Sequence, residues 1–478
     1  MAQDKKQQFR GNAKDEWRYV DEHFDEYVSE LRDAVRKPSI AAQNIGMAEA
    51  AAHFRGMLEK YGIAARIIPT AGHPVIYGEV KGESDKTVLF YDHYDVQPPD
   101  PLDEWESDPF SGNIRDGKMF ARGVSDNKGN ACARIQAIGT LLRLRGKLPV
   151  NVKFLIEGEE ETGSTHLSGF IRDNRDLLRS DCGVWESGYM GRDGRPGMYL
   201  GVKGILYIEL ETKGAARDMH SGSAATVPNP AWRLVWALST IKDETEKVLV
   251  PGFYDAVLPP TEREMELMRA ADEERQGEGA QRSEARRGGE VGIHSPLLAL
   301  RGLELRTRSL FSPTANICGF RSGYIGEGQK TVLPAKALVK MDFRLVPNQD
   351  PRDILEKLQK HLNQKGFDDV HVRVITMDYP VKTSAAHPVV KAAEEAALAV
   401  YGRPASIAPT QGGSGPMHPF QQYLNLPMVA FGVGYWASGN HGPNENIRLE
   451  DYRQGIKMVM EFVDRLALSA VNLMPAKL

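Results

Sequence analysis

Residues 87–97 read TVLFYDHYDVQ, and no other stretch constrains the fold as strongly. Val88, Leu89, Phe90 and Tyr91 form an unbroken apolar run of strand type. Such a run predicts a strand covered on both faces, as in a sheet flanked by helices. His93 and Asp95 follow, two positions apart, so both point to the same side where the strand ends. In open α/β sheets the ligand crevice lies outside the carboxyl ends of the strands. An imidazole and a carboxylate there could form half of a metal site. For this stretch alone, a polar turn closing a strand is an equal alternative.

The surrounding pattern predicts the sheet that such a strand needs. Residues 15–36 show helical spacing, stopped by Lys37-Pro38-Ser39, and a second helix is expected over 46–60. Strands are expected at 64–68, 75–80 and 150–156, with a helix over 127–145 between the His93 strand and the last of these. Strands alternating with helices indicate a parallel α/β sheet. Near Gly204 the pattern changes. Strands at 205–212, 332–345 and 370–377 and helices at 229–241 and 351–365 suggest a separate α+β sandwich. The charged segment from Glu273 to Gly292 reads as a solvated loop or a frayed helix. From Ser384 the α/β style returns, with a helix over 388–401, a strand at 427–433 and a helix over 451–466. The expected architecture is one α/β domain (1–204 and 384–478) interrupted by an inserted α+β domain (205–383). At 478 residues the chain exceeds one compact core, in keeping with two domains.

Charge and cysteine usage narrow the function classes. Lys plus Arg number 60 against 64 for Asp plus Glu, a formal net charge of -4. This argues against a nucleic-acid or anionic-membrane partner held by bulk charge. The polar start, MAQDKKQQFRGNAKDEW, lacks the apolar core of a signal peptide, and no run has the length of a membrane span. Cys132, Cys182 and Cys318 are far apart, with no disulfide framework, which fits a reducing cytoplasm.

Further acidic and histidine positions fall at strand ends and helix starts. Asp126 precedes a helix, where a capping role is the ordinary expectation. Glu159, Glu160 and Glu161 follow a strand and could be a solvated acidic turn, although three adjacent carboxylates are costly without a cation nearby. Glu186 ends the Cys182–Trp185 run, and His441 follows the 427–433 strand after a loop. Each alone has a structural explanation. Together, at one edge of one sheet, they suit two borderline divalent ions such as Zn²⁺, Mn²⁺ or Co²⁺. His93, Asp126, Glu161, Glu186 and His441 supply one bridging carboxylate, and an imidazole and terminal carboxylate for each ion. Glu160 is then left as a general base toward an activated water.

These residues lie in stretches that resemble the M20 family of metallopeptidases, above all its cytosolic non-specific dipeptidase or carnosinase-like branch. The matching stretches are DHYDVQ at 92–97, RGVSDNKG at 122–129, EGEEETGS at 157–164, DMHSG at 218–222, KTVLPAKALVKMDFRLVPNQD at 330–350, GGSGP at 412–416 and HGPNENI at 441–447. They follow the family's order and span nearly the whole chain. The resemblance implies that His93 and Glu186 hold one ion, Glu161 and His441 the other, and that Asp126 bridges them. It implies Glu160 as general base, Asp95 as the partner orienting the His93 ring, and a cis peptide after Asp126. It makes the inserted domain a ferredoxin-like lid and dimerisation domain. In the homodimer so implied, His220 would stabilise the oxyanion in the partner subunit's site. Arg344 would bind the substrate's C-terminal carboxylate, with Gly412, Gly413 and Ser414 at the same end and Asn316 facing the substrate.

The implied activity is hydrolysis of the amide bond of dipeptides or similar small substrates with a free C-terminal carboxylate. One departure bears on substrate class. The carnosinase-like branch usually carries Asp where this chain has Glu186, whereas deacylase relatives more often carry Glu. An N-acyl-amino-acid deacylase, or a carboxypeptidase of the same family, is the alternative. Asp181, five residues earlier, is a second candidate ligand, but it matches a non-ligand position of the family.

Overall fold

The computed structural model describes residues 13–276 and 300–469. The part of the charged segment that runs over 277–292 lies outside the described residues. The chain divides into two compact units: one of 1–201, 383–409 and 419–478, the other of 202–382 with 410–418. Residues 410–418, which the sequence pattern groups with 384–478, cluster with the second unit. There Val202 bridges Gln411, and the Lys203 N–H donates to the Gly413 carbonyl at 2.9 Å.

In chain order the first unit opens with α1 (Ala13–Glu22), α2 (Phe24–Val35) and α3 (Met47–Lys60). The single helix expected over 15–36 is broken at His23, whose ring stacks on Tyr19 and bonds back to the Tyr19 carbonyl. β1 (Ala64–Ile68), β2 (Val75–Val80), β3 (Thr87–His93), α4 (Lys128–Arg145), β4 (Asn151–Glu157), β5 (Cys182–Trp185) and β6 (Gly197–Tyr199) follow. The second unit holds β7 (Gly204–Lys213), α5 (Pro230–Ile241), β8 (Thr314–Ser322), β9 (Lys336–Leu345), α6 (Pro351–Gln364) and β10 (His371–Asp378). The first unit resumes with α7 (Pro388–Tyr401), β11 (Ser406–Ala408), β12 (Met428–Ala430) and α8 (Leu449–Leu468).

The main sheet of the first unit has eight strands in the order β1-β2-β4-β3-β5-β12-β6-β11. The centre, β4-β3-β5-β12, is parallel, and β1 and β2 add antiparallel at one edge. Val88 to Tyr91 are fully buried, as the apolar run predicts for a strand covered on both faces. Helix α4 is buried on all sides from Lys128 to Leu141. Its Gly139 lies so close to Tyr61 that an added Cβ would sit 2.1 Å from the ring. In α8, Tyr452, Ile456, Val459, Phe462, Val463 and Leu466 recur at helical spacing and turn inward, where the helix packs against α4 and α7.

The second unit is a four-stranded antiparallel sheet, β8-β9-β7-β10, with α5 and α6 on it. Leu234, Ala237 and Ile241 of α5, with Ile354, Leu358 and Leu362 of α6, join Leu206, Ile208 and Leu210 of β7 in one core. Both helices start at a proline preceded by a cap. Asn229 accepts the Ala231 N–H at 2.8 Å, and Asp350 accepts that of Arg352 at 2.7 Å.

Candidate metal centre

The parallel register delivers several acidic and imidazole groups to one edge of the first unit's sheet. His93 is the last residue of β3 and lies opposite Glu157, the last residue of β4. The turn after β4 carries Glu160 and Glu161, and Glu186 directly follows β5. Asp181 lies at the other end of β5. Its carboxylate accepts the Thr87 N–H at 2.7 Å, where β3 begins, so it is remote from this edge.

Asp126 does not cap α4. The helix begins at Lys128, with Asn127 before it, and the Asp126 carboxylate turns to the imidazoles. Its Oδ1 lies 3.1 Å from His93 Nε2 and its Oδ2 3.1 Å from His441 Nε2. Around these pairs, Glu186 Oε2 and Glu160 Oε2 lie 3.6 and 4.0 Å from His93 Nε2, and Glu161 Oε2 lies 3.3 Å from His441 Nε2. Two groups result: His93, Glu160 and Glu186, and Asp126, Glu161 and His441, each with ligand atoms within 4.8 Å of one another. The 126–127 peptide is cis.

So many carboxylates in one buried place need positive charge. Burial pushes the Glu160 carboxyl up to about 8, against the opposing charge of His93, and Glu161 and Asp126 add to the rise. Burial, then Glu160, drives Glu186 well above the ordinary carboxylate range. Burial disfavours a charged His93 ring, but its bonds to Asp126 and Asp95 raise it well above its ordinary value. Bonds to Asp126 and Glu161 lift His441 to about 10. Protons thus gather where cations would neutralise the site. Glu186 Oε2 is buried without a hydrogen-bond partner, with His93 Nε2 lying 3.6 Å from it. Imidazole nitrogens with carboxylate oxygens are the donor set of borderline divalent ions, and the residues present fit two of them.

Surrounding groups fix these side chains. The His93 Nδ1–H donates to the Asp95 carbonyl at 3.0 Å, while the Asp95 carboxylate accepts the N–H of Glu160 at 3.2 Å and of Glu161 at 2.9 Å. Asp95 therefore positions the acidic turn as well as the ring. Gln97 donates to Glu161 Oε2 at 2.8 Å. Asn127 donates to the Glu186 carbonyl at 2.8 Å. Arg134, buried in α4, donates to Asp92 and to the carbonyls of Tyr91, Trp185, Glu186 and Phe431, tying together the ends of β3, β5 and β12. Asn440 donates to Asp126 Oδ2 at 3.0 Å. Of these partners sequence reasoning named Asp95 and missed Gln97, Asn127, Arg134 and Asn440. A lone arginine inside the apolar helix NKGNACARIQAIG, and Gln97 closing DHYDVQ, were the signals for two of them.

In the second unit Arg344, on β9, donates to Ser414 Oγ at 3.0 Å and to Asp342 at 3.0 Å. Asn316 lies on β8 directly opposite Asp342, and its amide reaches Cys318 Sγ at 3.7 Å. His220 is exposed on a short strand paired with 332–333, and its Nδ1 accepts the Gly222 N–H at 3.0 Å.

An α/β sheet with clustered carboxylates and imidazoles at the carboxyl ends of its parallel strands defines a metal-dependent hydrolase. Residues 89–465 match the model of the peptidase family M20/M25/M40, and the chain belongs to that family. The Beta-Ala-His dipeptidase of Mus musculus is 29% identical over 476 residues, 93% of each chain. The Cys-Gly metallodipeptidase dug1 of Schizosaccharomyces pombe is 29% identical over 482 residues, 94% of this chain and 97% of the relative. Among solved structures, an M20 family metallo-carboxypeptidase from Sulfolobus solfataricus is 40% identical with a TM-score of 0.85, covering 93% of this chain and 99% of its own. Human carnosine dipeptidase 1 is 27% identical with a TM-score of 0.77, covering 96% and 99%. The chain is an M20 metallopeptidase, and among the described residues no helix is long and apolar enough to cross a membrane.

Proposed function

We propose that this metallopeptidase uses two divalent ions to hydrolyse the amide bond of dipeptides, or similar small substrates, with a free C-terminal carboxylate. The observation that carries the reading is Asp126, whose two oxygens address His93 and His441 separately. His93 and Glu186 would hold one ion, Glu161 and His441 the other, and Asp126 both, with Zn²⁺ or Mn²⁺ preferred and Co²⁺ able to substitute. When bound, such a pair supplies Lewis acidity at the scissile carbonyl and makes water a nucleophile near neutral pH.

The chain's own residues do the rest. Glu160, 4.0 Å from His93 and left free once the five ion-holding residues are assigned, takes the proton of the attacking water and returns it to the leaving amine. Arg344, steadied by Asp342 and Ser414, grips the substrate carboxylate through its guanidinium. Backbone groups of Gly413 and the amide of Asn316 contribute at the same end. The second unit acts as lid and dimerisation domain. His220 keeps its proton on Nε2, because Nδ1 accepts from Gly222, and Nε2–H is the donor for the oxyanion in the partner subunit's site. The homodimer is supported by the exposed face of α5, where Trp232, Val235 and Trp236 are 57%, 41% and 55% exposed. Three separated cysteines, without a disulfide, support a cytoplasmic location.

A second reading, carboxypeptidase action on longer peptides, is favoured by the 40% identity to the Sulfolobus metallo-carboxypeptidase. Glu186 in place of an aspartate favours a third, deacylation of N-acyl amino acids. A mass-spectrometric screen of the metal-loaded protein separates them, using dipeptides, their N-acetylated counterparts and tripeptides, with an EDTA control. Cleavage of free dipeptides alone supports the dipeptidase. Loss of the C-terminal residue from tripeptides supports the carboxypeptidase, and cleavage of only the acetylated members supports the deacylase.

A further inference from the structure

The loops that carry Asp126 and His441 are far apart in the chain, yet they share one buried ion pair. Glu445, fully buried, lies four residues after His441, and Arg122, 1% exposed, lies four before Asp126. Glu445 Oε2 accepts Arg122 Nη1–H at 2.8 Å and the Gly123 N–H at 2.9 Å. Its Oε1 accepts the N–H of Ser125 at 2.9 Å and of Asp126 itself at 3.0 Å. Four donors occupy this carboxylate, so it is neither an ion ligand nor a base. The other arm of Arg122, Nη2, donates to the His441 carbonyl at 3.1 Å and to the Pro98 carbonyl at 3.3 Å. His441 has a φ of 63°, a left-handed conformation that costs a non-glycine residue energy unless its surroundings hold it. The guanidinium is what reaches that residue's carbonyl.

One half of the pair therefore holds the backbone of Asp126 and the other half the backbone of His441, and the two side chains meet 3.1 Å apart. We propose that the buried Arg122–Glu445 pair is a positioning device for the metal centre, setting Asp126 and His441 in register with each other through their backbones. The inference rests on the dinuclear reading above and adds two residues to it. A pair that only stabilised the fold would have no reason to bond the backbones of two centre residues from separate loops.

The test is calorimetric titration of the full-length, EDTA-stripped protein with Mn²⁺, beside circular dichroism and thermal unfolding of the same stripped samples. Glu445→Gln keeps the shape but turns an amide NH₂ toward groups that are themselves donors. Arg122→Lys keeps the charge beside Glu445 but cannot also reach the His441 carbonyl. Wild-type protein is expected to take two ions. Glu445→Gln should bind them about 10- to 100-fold more weakly with an unchanged dichroism spectrum, the range for lost outer partners of metal ligands. Arg122→Lys should weaken one ion, the one assigned to His441, more than the other. Glu445→Asp should recover part of the affinity. If Glu445→Gln does not fold, the split in Arg122→Lys decides. Variants that unfold at lower temperature yet bind both ions with wild-type affinity would overturn the inference. Wild-type protein that takes up no ion would instead overturn the dinuclear reading on which it rests.

Discussion

The carboxylate of Asp95 accepts the backbone N–H of Glu161 at 2.9 Å. Buried and paired with the turn that presents Glu160 and Glu161, Asp95 sets the acidic side of the centre, and its carbonyl sets the His93 ring. Asp95→Asn would turn an amide donor toward one of two N–H groups that need acceptors. We expect ion affinity and turnover to fall by about 10- to 100-fold. Titration with Mn²⁺ and steady-state kinetics check this, and unchanged affinity would limit Asp95 to holding the fold.

Glu160 lies 4.0 Å from His93, against 3.6 Å for Glu186, and is the carboxyl assigned to proton transfer. Glu160→Gln should lower kcat by about 100- to 10,000-fold, the range for losing a general base. It should still take up two ions. Turnover near wild type with ions bound would remove Glu160 from the mechanism.

In the protein stripped of ions, the contribution of the metal centre to stability should fall as pH rises. Burial lifts Glu160 from 4.5 to about 8, and carboxylate partners lift His441 from 6.5 to about 10. In both cases the native state binds the proton more tightly than the unfolded state does, so both contributions are complete at low pH. That of Glu160 is lost between its ordinary value and about 8, and that of His441 between its ordinary value and about 10. From pH 6 to pH 9 the Tm of EDTA-treated wild type should fall relative to that of a Glu160→Gln, His441→Gln variant, in which Lys128, lowered to about 7 by burial, still acts but these two groups do not. Added Mn²⁺ should flatten the slope, because ions replace protons at the same atoms. A Tm difference between the two stripped proteins that stays constant or grows in favour of wild type over this range would contradict the proton-holding site.

Arg344→Lys keeps a positive charge but loses the planar fork and the bond to Ser414. A hydrogen bond to a charged group contributes about 1.5–3 kcal/mol, so kcat/KM should fall by about 10- to 100-fold, mostly through KM. Substrates amidated at the C-terminus should already be poor for the wild type and lose little more. Equal losses on acid and amide substrates would place the carboxylate clamp elsewhere.

Strands and helices were legible where apolar runs are bounded by turn signals. The runs at 64–68, 75–80 and 388–401 appear at the expected residues. Strands alternating with helices pointed to a parallel sheet, and the centre around the His93 strand is parallel. The strand expected over 427–433 shortens to Met428–Ala430, and that over 332–345 divides at Pro334, which has no N–H for the ladder. Local pattern therefore determined the architecture and which strand ends would carry His93, Glu160, Glu161 and Glu186. It left Asp126 between helix capping and the metal centre, since both roles ask for a carboxylate before a helix. In the structure Asn127 stands at the helix start, and the Asp126 carboxylate faces the imidazole of His441 from 315 residues away. Asn127, Arg134 and the Arg122–Glu445 pair were equally decided by tertiary structure. A hydrogen bond between residues distant in sequence leaves no periodic trace in either segment, and only the packed chain brings donor and acceptor together.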